Sequence, residues 1–74
     1  MTLSSLKPGE KARVVKVRRS GAVHKRIADM GVTPGTVVEV RRIAPLGDPI
    51  EVKLRGYNLS LRKDEINAIE VEHT

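Results

Sequence analysis

With 74 residues the chain is too short for two cores, so one domain over residues 1–74 is expected. The absence of cysteine excludes disulfides and thiolate metal sites, and suits a reducing compartment. Lys and Arg (14) outnumber Asp and Glu (9), and the formal charge of +5 favours contact with an acidic surface: nucleic acid, lipid headgroups or an acidic protein.

The longest apolar runs are two or three residues, such as Val37-Val38, against about 20 needed to span a bilayer. The first six residues have no positive segment leading into an apolar run, so no secretory signal is read and a cytoplasmic protein is expected. Phe and Trp are absent and Tyr57 is the single aromatic, leaving Val, Ile and Leu to build the core. Their β-branched majority favours sheet.

Leu3 and Leu6 share one face of a short turn that Pro8-Gly9 ends, a plug or lid. Over residues 10–18, Ala12 and Val14 lie on one parity and Val15 and Val17 on the other, which predicts a strand bent by a bulge. Ser20 then caps a helix with Val23, Ile27 and Met30 on one face and Gly31 at its left-handed close. Thr33-Pro34-Gly35 turns the chain into a second strand, in which Val38 and Val40 alternate with Glu39 and Arg41, running to Ile43.

Two prolines and a glycine make residues 44–49 a shaped loop. Ile50, Val52 and Leu54, then Leu59 and Leu61, form a hairpin centred near Gly56 and Tyr57. Lys63-Asp64-Glu65-Ile66 makes a single turn capped by Asp64, with Ile66 tucked inward, before a last strand containing Ile69 and Val71. The sum is an all-β domain with one short helix, a small five-stranded SH3-like barrel whose closure hides its edges.

No catalytic constellation is present, and no glycine spacing matches a phosphate-binding P-loop. His24 stands without a second ligand on its helix face, and Glu70 and Glu72 read as the solvent face of the last strand, with His73 at the tail. No catalytic residue, metal site or cofactor is therefore assigned. Arg13, Lys16, Arg18, Arg19, Lys25 and Arg26, with Arg41, Arg42, Lys53 and Arg55, read first as solvated surface and second as a docking patch. Single-strand nucleic acid recognition would add stacking rings, and only Tyr57 is available. Pro45, Leu46 and Pro49 form a rigid loop that either presents an apolar knob to a partner or folds Leu46 back over the barrel end.

Four segments taken together carry a family resemblance: Leu3-x-x-Leu6-x-x-Gly9; Arg26-Ile27-x-x-Met30-Gly31-x-x-Pro34-Gly35; Ala44-Pro45-Leu46-Gly47-Asp48-Pro49; and Gly56-Tyr57-x-Leu59-x-Leu61-Arg62. In this order, from Leu3 to Val71, they closely resemble the FeoA family of cytosolic accessory proteins of ferrous iron transport. The resemblance implies an SH3-like barrel, no enzyme activity, and action on the membrane GTP-hydrolysing transporter FeoB, with attachment to the membrane only through that G-domain partner. It makes Met30, Gly31, Pro34, Gly35, Ala44, Pro45, Leu46, Gly47, Asp48 and Pro49 the candidate docking residues. Self-association stays open. The alternatives are a basic nucleic acid-binding barrel and a metal-binding barrel like the C-terminal domain of metal-dependent repressors, the latter expected to follow a helix-turn-helix domain.

Overall fold

Period-two alternation of aliphatic and polar residues becomes five strands in the computed structural model, which describes residues 1–18 and 22–74. They are β1 (Lys11–Val17), β2 (Val37–Ile43), β3 (Ile50–Leu54), β4 (Tyr57–Leu61) and β5 (Ile69–His73). Helix α1 (Ala22–Asp29) follows β1, helix α2 (Lys63–Ala68) precedes β5, and a 3₁₀ turn covers Leu3–Ser5. The strands form one antiparallel sheet in the order β4-β3-β2-β1-β5. Its inner rows, including Ala12, Val14, Val38, Val40, Val52, Leu61, Ile69 and Val71, are buried in a single core. Because that core contains no aromatic ring, its cohesion rests on close packing of branched aliphatics.

The bulge expected in β1 is present: register against β5 shifts between Val14 and Lys16, so Val15 is half exposed while Val17 packs on the core. A second shift between Val40 and Arg42 bends β2. Leu3 and Leu6 are buried plugs, as their spacing suggested.

The β3–β4 hairpin turns one residue earlier than expected. Arg55 and Gly56, at φ 48° and 85°, are its central residues, and Tyr57 is already strand, paired with Leu54. A two-residue turn of this hand needs positive φ at both centres, which glycine advertises and arginine does not.

In α1 Ile27 is fully buried, and Val23 and, just past the helix end, Met30 pack beside the core, as the helical spacing predicted. The expected Ser20 cap lies outside the described residues. Helix α2 corrects the single-turn reading: it runs to Ala68, and its N-cap is Arg62 rather than Asp64. The Glu65 carboxylate reaches back to accept the Arg62 amide at 2.8 Å, while Asp64 Oδ1 accepts the Glu65 amide at 2.9 Å. Burial of Ile66, as expected, and of Ala68 carries the helix onward.

Among the described residues no ladder joins the two border strands, β4 and β5, to each other. At β5, Met1 O accepts the Val71 amide at 2.7 Å and Thr2 bridges to Glu70, so the outer side is partly covered. At β4 there is no further strand among the described residues.

Candidate functional site

The loop between β2 and β3 is held at three points. The Gly47 amide donates to Ala44 O (2.7 Å), the Ala44 amide to Pro49 O (3.1 Å), and the Lys63 amide to Asp48 Oδ1 (3.2 Å). Pro45 presets one φ within this reversal, and Gly47 takes φ 80°. Leu46 is 95% exposed. Of the two sequence readings, the knob describes the loop: the side chain does not fold back over the barrel end. Where Asp48 meets the start of α2, a depression of about 480 Å³ is lined by Asp48, Arg62, Lys63, Asp64 and Asn67.

Met30, Gly31, Pro34 and Gly35 lie at the other end of β2. The Tyr57 hydroxyl donates to Met30 O, and a Cβ on Gly31, at φ 87°, would stand 3.3 Å from that hydroxyl. Buried Thr36 donates to Gly31 O at 3.4 Å and accepts from Arg55 Nη2 at 3.1 Å. The Gly35 amide bonds Val14 O and the Val14 amide bonds Thr36 O, both at 2.8 Å, stitching the turn to β1. Glycine at position 31 thus answers a backbone and packing demand. Pro34 is exposed and lines an apolar groove of about 240 Å³ with Val15, Val17, His24, Ala28 and Val32.

The fold does not bring the two candidate segments together. The seven residues of β2 separate them, which at a strand rise of about 3.3 Å is roughly 20 Å. They are two surfaces at opposite ends of one strand.

The remaining candidates are accounted for by their neighbours. Glu70 and Glu72 face solvent and meet Arg18 and Arg13, each at 3.7 Å. Arg41 meets Glu39 at 3.1 Å. His24 Nδ1 sits 3.3 Å from Arg18 O, and among the described residues no group of three or more His, Cys, Asp or Glu is gathered to hold a metal. Arg19 lies outside the described residues. Lys16, Lys25, Arg42, Lys53 and Arg55 are exposed.

Sequence reasoning missed Glu65. It is buried, and its Oε2 accepts from Arg26 Nε at 2.6 Å, tying α2 to α1. Arg26, grouped in the sequence with the basic patch, is therefore a structural partner. The available signal was the position of Glu65 three residues after Arg62, obscured because arginine lacks the oxygen of a usual N-cap.

A family model, the FeoA domain, matches residues 1–73. The chain belongs to the FeoA family. It is 42% identical over 72 residues to a Fe(2+) transport protein A/Fe(2+) transporter FeoB fusion protein of Porphyromonas gingivalis, a match covering 97% of this chain and 8% of that one. The solution structure of iron(II) transport protein A from Clostridium thermocellum superposes with a TM-score of 0.93 at 44% identity, covering 100% of this chain and 46% of that one. Zinc-complexed FeoA of Stenotrophomonas maltophilia, described as a prokaryotic SH3 domain protein, gives a TM-score of 0.84 at 28% identity, covering 97% and 89%. This FeoA domain therefore has the SH3-like fold expected from its sequence. The family is a transport-related accessory domain and is not a known enzyme family. No helix among the described residues is long and apolar enough to cross a membrane.

Proposed function

We propose that this FeoA domain is a non-catalytic cytoplasmic docking module that engages a FeoB-like membrane transporter bearing a G-domain, with Leu46 as the anchor. One observation carries the reading: a fully presented leucine on a loop already fixed by three hydrogen bonds. Such a side chain has apolar area to bury and little conformational entropy left to lose on binding. The fusion relative supports the choice of partner, because there the matching segment and a FeoB transporter belong to one polypeptide. The domain would then be peripheral to the membrane through its partner alone.

Capture of a full-length FeoB-type transporter from detergent by the immobilised domain tests the reading. Wild type is expected to retain the transporter at physiological ionic strength, and Leu46→Asp to lose at least about tenfold in affinity, since an anchor leucine contributes on the order of 1.5–3 kcal/mol of burial. No capture by the wild type at any salt concentration, or equal capture by both, refutes it.

A further inference from the structure

Among the described residues strand β4 is the border of the sheet without a second strand beside it, with β3 as its neighbour. The Arg55-Gly56 turn closes the Leu54–Tyr57 pair. Ladder alternation then directs the amides and carbonyls of Tyr57, Leu59 and Leu61 at β3, and those of Asn58 and Ser60 away from it. Among the described residues nothing bonds these four outward groups. Tyr57, Asn58 and Ser60 are exposed and Leu59 is half buried.

Sheet borders are ordinarily kept from pairing by charge, proline, a bulge or a covering segment. Among the described residues none of these devices is present over Tyr-Asn-Leu-Ser-Leu, in a chain that is 31% charged and whose other border is partly covered by Met1 and Thr2. The charge lies instead at the two ends of the strand. Arg55 precedes it and Arg62 and Lys63 follow it, all exposed and none in an ion pair among the described residues.

We propose that β4 accepts a sixth strand from an extended polypeptide segment with alternating apolar residues at its middle and carboxylates at both ends. The backbone of Asn58 and Ser60 supplies the hydrogen bonds, Tyr57 and Leu59 offer an apolar row to alternate side chains, and the basic ends set the charge preference. The same charges select against a second copy of this chain. Antiparallel pairing about Leu59 would set Asn58 against Ser60 of the other copy, and it would also bring each Arg55 against the other copy's Arg62 and Lys63. The inference does not rest on the transporter reading, because any acidic-flanked extended segment satisfies it.

The probe is a synthetic peptide, Glu-Asp-Val-Thr-Val-Thr-Val-Asp-Glu, with a twin carrying lysine at every acidic position. Amide exchange of the full chain is followed by NMR. Saturation with the acidic peptide is expected to slow exchange at Asn58 and Ser60 by at least about tenfold, and the lysine twin to bind at least about tenfold more weakly. Ser60→Pro removes one outward donor at a border position that tolerates proline, and is expected to weaken binding about tenfold. Lys63→Glu reverses the charge at one end of the strand while leaving the turn and its Arg55–Thr36 bond in place, and is expected to narrow the preference between the peptides to about threefold or less. Unchanged exchange at saturation, equal affinity for both peptides, or protection of Asn58 and Ser60 that rises with chain concentration and no peptide each overturns the inference. Loss of transporter capture by Leu46→Asp, with peptide binding intact, affects only the docking reading.

Discussion

The two reversals at residues 30–35 and 44–49 are built from similar material, glycine and proline with apolar side chains among them, and they put those side chains to opposite uses. Met30 packs beside the core, with its carbonyl held by Tyr57. Leu46 points into solvent. The cause lies in what each reversal connects. Residues 30–35 follow a helix whose inner face already carries Ile27, so Met30, three positions on, arrives on the same face. Residues 44–49 join neighbouring antiparallel strands, and the Ile43–Ile50 pair beneath them already covers that end of the core. Turn composition fixes where a chain reverses, and the neighbouring elements decide whether its apolar residue has anything left to cover.

The contrast is open to attack by substitution. Gly31→Ala is expected to have the largest effect, about 2 kcal/mol of destabilisation in urea unfolding, because the position has φ 87° and a new methyl would press on the Tyr57 hydroxyl. A loss below about 0.5 kcal/mol would mean that the 30–35 reversal is no more demanding than an open surface turn. Tyr57→Phe should cost about 1 kcal/mol, the net worth of the hydrogen bond to Met30 O. It would also sharpen the comparison by separating the hydroxyl from the ring. Leu46→Asp should change stability least, by no more than about 0.5 kcal/mol, since the side chain touches almost nothing. A larger loss in thermal or urea unfolding would show that the leucine serves the fold, and the two reversals would then be alike.

Much of the fold was legible in the sequence because period-two patterns are hard to satisfy in any other way. The alternation of Ile50, Val52 and Leu54 and the parity switch at Val15 both became strand geometry. The helix face through Ile27 was readable for the same reason. The openness of β4 was not, because whether five strands meet edge to edge depends on curvature accumulated over the whole sheet. The Arg26–Glu65 contact was hidden too, for its residues are 39 positions apart and neither is unusual alone. Of the candidate docking residues, the sequence marked both reversals and left open the direction of Leu46. The strand read through Val38 and Val40 to Ile43 already set the two reversals at opposite ends of β2.

The bond from the Lys63 amide to Asp48 has a cost-free side and a conditional one. It occupies one of the donors that a helix start leaves unused, and it makes the stiffness of the leucine-bearing loop depend on α2 staying wound. A six-residue helix is far too short to persist by itself. Fraying at its first turn, whether thermal or forced by a bound polypeptide, would slacken the loop tens of atoms away along the chain and blunt its grip without touching Leu46.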